Sequence, residues 1–188
     1  MTPEKNKTYR EMVLLASPTP VVWPDAGPLI TLAYADALDL LRKPGWPVRL
    51  VDRVLHEVTR NATPTSAKIA DWVNQHAIEV QATQTFSHYQ ALLTSDPARS
   101  RKSNLGEIAV QEAMNVLALS TPGVTGVFLF EDHKIARASF LLPDNCRKVS
   151  TRAWLLFLEG KGWIDSAAEI ERAALTHGRN FSRLRFPP

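Results

Sequence analysis

The chain has 188 residues, of which 45% are apolar and 22% are charged, and its formal net charge is +3 at neutral pH; these values are typical of a soluble globular protein. Cys146 is the only cysteine, which excludes an internal disulfide and a CxxC zinc or redox site and favours the reducing cytoplasm. No apolar stretch approaches the roughly 20 residues needed to cross a bilayer, so no membrane partner is expected.

The amino-terminal segment carries basic residues before a short apolar run, as secretory signals do. Lys5, Lys7 and Arg10 precede Met12–Ala16. This run of five apolar residues is shorter than the roughly 7–15 of a signal core. We therefore interpret residues 1–18 as a surface extension.

The first half of the remaining chain alternates short strands with helices. Val21–Trp23 is β-branched and aromatic and predicts the first strand, after which Pro28 suits the first turn of a helix. Pro47–Val51 predicts the second strand. Asp52 suits the N-cap of a helix that extends through Thr59.

The second half continues the same alternation. Further helices are predicted near 69–73, 86–93, 105–119, 133–142, 151–160 and 166–177, strands at 78–80, 126–130 and 147–149, and a polar basic loop at 94–104. Alternating strands and helices favour a parallel sheet covered on both faces. The sequence therefore predicts an α/β fold of three layers, α/β/α.

Four acidic residues are predicted to meet at one edge of this sheet. Asp25 and Asp132 follow predicted strands, whereas Glu57 and Glu107 lie on predicted helices. Open α/β folds place their sites at the carboxyl edge of the strands. Carboxylates brought together repel each other unless a cation neutralises them or their pKa values rise. Because Mg2+ and Mn2+ prefer oxygen ligands, we predict metal-assisted hydrolysis of a phosphate ester.

Each acid has a second interpretation. Asp25 or Asp132 could cap the helix that follows it, and Glu57 or Glu107 could lie on a solvated helix face. Glu131 could be an additional ligand, but one face of the turn suits only one residue of this pair, and Asp132 is preferred from the family pattern below. The helix N-terminus beside Glu107 favours its ionised form.

Other chemistries have no supporting motif. The five histidines show no HExxH or paired metal spacing, and the chain has no GxSxG, Walker or GxGxxG motif. Residues 133–188 contain ten Lys and Arg against five Asp and Glu. A basic part beside an acidic cluster suits a phosphate backbone near a metal, although a merely solvated basic tail explains the charge equally well.

The acidic motifs resemble those of PIN-domain proteins, in particular toxin ribonucleases of the VapC type. Val21–Ala33 resembles the family's opening strand with its Asp, Val54–Val58 its second motif, Asn104–Glu107 its third and Phe130–Lys134 its fourth. The order and spacing agree over roughly residues 20–160. Phe130 stands where such toxins commonly have Thr or Ser.

This resemblance implies a PIN-like nuclease domain at 19–160, followed by a C-terminal helix and basic tail at 161–188. It implies that Asp25, Glu57, Glu107 and Asp132 bind Mg2+ or Mn2+ and that the substrate is single-stranded RNA. Many similar toxins are inhibited by a small antitoxin protein and are dimeric, so an antitoxin and a second copy of the chain are the implied partners.

The sequence leaves two alternatives to the nuclease. A phosphatase of the haloacid dehalogenase kind needs a second Asp two residues after the first, and this chain has Gly27 there. A non-catalytic PIN-like module that binds RNA or protein remains the alternative, and RNA or protein binding without any metal dependence would favour it.

Overall fold

A computed structural model describes residues 19–95, 104–131 and 141–180. The strands are β1 (Val21–Pro24), β2 (Arg49–Val51), β3 (Glu79–Gln81), β4 (Gly126–Phe130) and β5 (Cys146–Ser150). The helices are α1 (Ala26–Tyr34), α2 (Asp52–Thr59), α3 (Ser66–Gln75), α4 (Gln84–Ser95), α5 (Leu105–Ser120), α6 (Thr151–Gly160) and α7 (Ala167–Thr176), and a 3-10 helix spans Leu38–Leu41. The prediction of an α/β fold with a parallel sheet is confirmed.

The strands pair only in parallel within the described residues. β1 pairs with β4 and β4 with β5, while β2 pairs with β3. A parallel bridge between Val22 and Val48 joins the two sets, and the Val22 N–H donates to the Pro47 carbonyl at 2.9 Å. The strand order is therefore β3-β2-β1-β4-β5. The winding direction reverses between β1 and β4, which is where open α/β sheets form a crevice at the carboxyl ends of their strands.

The hydrophobic core fixes the two strands that border this crevice. Every residue of β1 and of β4 is buried, as expected for central strands of a parallel sheet. Val22, Leu29 and Phe128 have no exposed surface. The carboxyl ends of β1 and β4 are therefore held rigidly, and so are the residues that follow them.

Most predicted elements appear with small shifts of their ends. β4 and α6 have the predicted bounds, and α1 ends at Tyr34 with Pro28 in its first turn. β2 begins at Arg49 rather than Pro47, because Val48 makes only an isolated bridge. The extension 1–18, most of the predicted loop 94–104, most of the predicted helix 133–142 and the tail from 181 lie outside the described residues.

Helix α4 begins earlier than predicted because two carboxylates bind its start. The Glu112 carboxylate accepts hydrogen bonds from the backbone N–H groups of Gln84 and Thr85, at 2.7 and 3.0 Å. Asp52 accepts from the Thr83 N–H at 2.8 Å and from the Thr83 hydroxyl at 2.7 Å. Asp52 thus anchors the β3–α4 turn to the start of α2. Across the described ranges, no helix combines the length and apolar character of a membrane span.

Gly126 allows β4 and β5 to approach closely, and its replacement tests this packing. A Cβ atom there would lie 2.7 Å from the Cys146 Sγ and 3.2 Å from a Leu117 methyl carbon. We expect Gly126→Ala to lower the free energy of unfolding by about 1–3 kcal/mol, measured by urea denaturation. In a Cys146→Ala background the cost should shrink.

Gly160→Ala is the matched control, because a Cβ at this last residue of α6 meets nothing within 4 Å. It should leave stability unchanged or raise it by up to about 1 kcal/mol. Equal stability of Gly126→Ala and the wild type would contradict the close approach of the two strands.

Candidate metal centre

Asp25 lies at the carboxyl end of β1, immediately before α1. Its backbone N–H donates to the Leu129 carbonyl of β4 at 2.9 Å, which fixes it beside the neighbouring strand. Asp25 occupies the N-cap position of α1, but its side chain makes no capping hydrogen bond. The carboxylate instead lines a cavity. Asp25 thus occupies the capping position, but its side chain does not act as the cap.

Three of the four predicted acids share this cavity, whose volume is about 250 Å3. Its lining residues come from the end of β1, from α2 and its C-terminal cap, and from the start of α5: Asp25, Arg53, Glu57, Arg60, Asn104, Leu105, Gly106 and Glu107. Asp132, the fourth predicted acid, lies outside the described residues. The fold therefore brings together side chains that are far apart in sequence.

Gly106 lies between two of these carboxylates. A Cβ atom added to it would be 3.5 Å from Asp25 Oδ1 and 3.6 Å from Glu57 Oε2. The backbone of the first turn of α5 therefore faces both oxygens, and the absent side chain leaves a gap beside them. Glu107, the next residue, is in the same first turn, where the partial positive charge of the helix N-terminus stabilises a carboxylate.

Burial and mutual repulsion raise the pKa of Asp25 to about 7, from an ordinary value of 3.8. Burial of the carboxyl group is the largest cause, and the negative charges of Glu107, Glu57 and Glu131 raise the pKa further. The neighbouring Ala26 N–H acts in the opposite direction and lowers the pKa. The ionised form of Asp25 is therefore unfavourable until a positive charge arrives.

Glu131 belongs to this group of charges, although sequence reasoning placed Asp132 ahead of it. It directly follows β4, is buried, and contributes to the raised pKa of Asp25. Its Oε2 lies 2.9 Å from Arg179 Nη2, and Arg179 also donates from Nε to the Thr31 hydroxyl at 2.9 Å. Glu131 is thus already neutralised by an arginine that follows α7, while it remains close enough to influence Asp25.

Two arginines of the cavity were missed by the sequence analysis. Arg53 lies one helical turn before Glu57, and its Nη2 is 3.8 Å from Glu57 Oε2. Its guanidinium carbon lies 4.7 Å from the centre of the Tyr89 ring. Arg60, the C-terminal cap of α2, is exposed at the cavity rim. The i, i+4 spacing of Arg53 and Glu57 was the available signal, but the same spacing is common on solvated helix faces.

A second cavity of about 290 Å3 adjoins the first through Glu57, which lines both. It is formed by α1, the α2–α3 connection and the segment after α7: Ile30, Tyr34, Glu57, Val58, Asn61, Thr63, Thr65, Gly178, Arg179 and Asn180. Glu57 is exposed and is shared by the acidic cavity and this second, polar cavity. The two form a continuous surface around the carboxyl edge of the sheet.

Phe130, which stands where a hydroxyl residue is common in the similar toxins, is part of the core. It is buried, and its ring centre lies 6.1 Å from that of Phe128. Its side chain adds packing to β4 and no polar group to the site.

The donor set fits a hard divalent cation. Within residues 19–95, 104–131 and 141–180, no three His, Cys, Asp or Glu side chains form a ready-made cation site. Mg2+, however, keeps several of its waters and uses only one or two protein carboxylates. The gap at Gly106 beside Asp25 and Glu57, and the repulsion that raises the pKa of Asp25, suit such an ion.

Comparisons of the chain with protein-family models, with curated proteins and with solved structures found no match.

Neutralising Asp25 should stabilise the metal-free protein. The pKa of Asp25 in the folded state lies above its ordinary value of 3.8. Asp25 therefore does not lower the free energy of unfolding below pH 3.8, but lowers it increasingly as the pH rises toward 7. The difference in pKa corresponds to at most roughly 4 kcal/mol, and partial solvent access reduces our expectation to about 1–3 kcal/mol. Asp25→Asn should gain this amount at pH 8, measured by urea denaturation in EDTA, and much less at pH 4.5.

The control is Asp71→Asn, which changes an exposed carboxylate of α3 and should shift stability by no more than about 0.5 kcal/mol. A stability gain for Asp25→Asn that does not depend on pH would argue against a strained carboxylate at this position.

Proposed function

We propose that the protein is a metal-dependent ribonuclease with a PIN-like, three-layer α/β/α fold. Asp25, Glu57, Glu107 and Asp132 are the proposed ligands of Mg2+ or Mn2+, and the substrate is the phosphodiester backbone of RNA. The observation that carries the proposal is the convergence of Asp25, Glu57 and Glu107 on one cavity at the switch point of a parallel sheet. Their mutual repulsion raises the pKa of Asp25, and a bound cation would relieve it.

A divalent ion bound here would stabilise charge on a phosphoryl oxygen and lower the pKa of a bound water. The chain itself supplies positioning. Glu107 is fixed by the first turn of α5, and Asp25 by its backbone hydrogen bond to β4.

RNA is favoured over a small phosphate ester by the surroundings of the acids. Arg53 and Arg60 line the acidic cavity, so positive charge lies beside the carboxylates. The second cavity combines the aromatic ring of Tyr34 with the amides of Asn61 and Asn180. This combination suits a nucleotide adjacent to the reacting phosphate.

The partners in the proposal come from the sequence resemblance. Four acidic motifs in the order of VapC-type toxins support a toxin of a type II toxin–antitoxin pair. A small antitoxin protein and a second copy of the chain are then the protein partners, and the cytoplasm is the compartment.

Cleavage of RNA by the purified protein tests the proposal. We expect cleavage of single-stranded RNA with Mn2+ or Mg2+ and none with EDTA. Asp25→Asn and Glu107→Gln should each lower kcat at least about 100-fold, because a direct ligand matters at least as much as its supporting residues. Circular dichroism should show that both variants are folded, and Asp71→Asn should cleave at the wild-type rate.

Retained cleavage by Asp25→Asn would remove this cavity as the active site. RNA binding without cleavage under any divalent cation would favour the non-catalytic module.

Gly106→Ala tests where the cation binds. The new Cβ makes ordinary contacts with Asp25 Oδ1 and Glu57 Oε2, at 3.5 and 3.6 Å, so the fold should be retained and α5 slightly stabilised. Because the methyl group fills the gap beside the two oxygens, Mn2+ affinity should fall at least about 10-fold, measured by isothermal titration calorimetry. Gly160→Ala serves as the control, and an unchanged Mn2+ affinity of Gly106→Ala would place the ion elsewhere.

A further inference from the structure

Arg53 is a buried cation whose hydrogen-bonding capacity is largely unused. Only 6% of its surface is exposed, and within the described residues its Nε and Nη1 are buried without a hydrogen-bond partner. Buried guanidinium groups normally form bidentate pairs with an anion, because unsatisfied buried donors are costly. Both atoms have almost no contact with solvent. The guanidinium can therefore meet an anion only through Nη2, which lies 3.8 Å from the cavity-lining Glu57.

The contact with Glu57 does not satisfy this need. Arg53 Nη2 and Glu57 Oε2 are 3.8 Å apart, beyond hydrogen-bonding distance, and 42% of the Glu57 side chain is exposed. A pair of this kind contributes little to stability. Nη2 therefore makes no hydrogen bond with Glu57 and can donate to another acceptor in the cavity.

The position of Arg53 is nevertheless well defined. It lies in the first turn of α2, whose residues Val54 and Val58 are anchored in the core. Its guanidinium carbon lies 4.7 Å from the centre of the Tyr89 ring, a contact that favours a fixed guanidinium plane. Arg53 also lines the cavity that contains Asp25, Glu57 and Glu107. A rigid, planar donor group is thus presented beside the proposed reaction centre.

We propose that Arg53 is a substrate-binding residue that holds the phosphate group of the nucleic acid beside the acidic cluster. This inference rests on the proposed function and identifies the residue that offsets the repulsion between the carboxylates and the substrate. Nη2 donates to a non-bridging oxygen of one phosphate group, and the fixed guanidinium plane orients this charge-assisted hydrogen bond. Exposed Arg60 at the rim adds attraction at longer range.

The charges in the cavity explain why a buried arginine is needed there. Three carboxylates line the cavity and repel a phosphate group. If Glu57 held a cation, its attraction to Arg53 would weaken, and Nη2 would be left to the substrate phosphate. Arg53 therefore complements a metal ion without competing with it for carboxylate oxygens.

Binding and cleavage by Arg53→Met and Arg53→Lys test this role. Met retains the apolar volume of the arginine stem, and Lys keeps the charge but not the fork. The probe is a fluorescein-labelled single-stranded RNA of mixed sequence, titrated in EDTA at several salt concentrations so that no metal-dependent cleavage occurs. Arg49→Met is the matched control, because Arg49 lies outside the cavity in β2 and pairs with Glu79 at 2.9 Å.

For Arg53→Met we expect weaker RNA binding and a slope of log affinity against log salt that is smaller by about 0.7, the value of one lost phosphate contact on a single strand. With Mn2+, kcat should fall about 100-fold, and Arg53→Lys should recover the salt slope but only part of kcat. The Tm of Arg53→Met should match or exceed that of the wild type, because a buried charge with unused donors is removed. Arg49→Met should keep the wild-type slope and kcat.

The two proposals fail in different ways. If the wild type cleaves RNA and Arg53→Met has the wild-type slope and kcat, the role of Arg53 is wrong and the nuclease stands. If the wild type cleaves no RNA but its binding in EDTA depends on Arg53, the nuclease is wrong and the phosphate site stands. A lowered Tm with an unchanged salt slope would make Arg53 a structural residue. If Arg53→Met does not fold, the kcat of Arg53→Lys decides: a wild-type kcat would overturn the role of Arg53, and a lowered kcat with the wild-type salt slope would support it.

Discussion

The repulsion around Asp25 is the constraint on which the site depends. Its carboxylate is fixed at the end of a buried strand, and the charges of Glu107, Glu57 and Glu131 all raise its pKa. Among the described residues it has no ion pair that would offset them. Folding tolerates this arrangement because the buried strands β1 and β4 hold the backbone of Asp25 in place. Under the proposed function, an incoming cation would relieve this repulsion.

The acids alone would repel the proposed substrate, so the arginines of the same cavity are as important as the carboxylates. Metal ligands and phosphate-binding groups must lie within a few ångströms of each other for phosphoryl transfer, yet they carry opposite charges. Placing Arg53 and Glu57 one turn apart on α2 keeps both on the same cavity wall. Their long separation of 3.8 Å leaves each group able to bind something else.

The sequence predicted the sheet and three converging acids because those features depend on local patterns. β4 is an apolar run that begins at a glycine, and Asp25 follows an apolar strand directly, so their positions can be inferred without tertiary information. Arg53 could not be recognised in this way, because its burial depends on Tyr89 of α4, which is distant in sequence. The relation of Glu131 to Asp25 was likewise hidden, since it depends on Arg179 and on how the chain leaves β4.

The two arginine–glutamate pairs near the sheet edge differ in distance and in burial. Arg179 and Glu131 meet at 2.9 Å with both side chains largely buried, and Arg179 is held further by Thr31. This pair joins the segment after α7 to the end of β4. Arg53 and Glu57 are farther apart, and Glu57 faces solvent. The close, buried pair joins two segments of the chain, whereas the separated pair keeps a cation and an anion available. The difference in distance therefore distinguishes the structural pair from the pair that we assign to metal and phosphate.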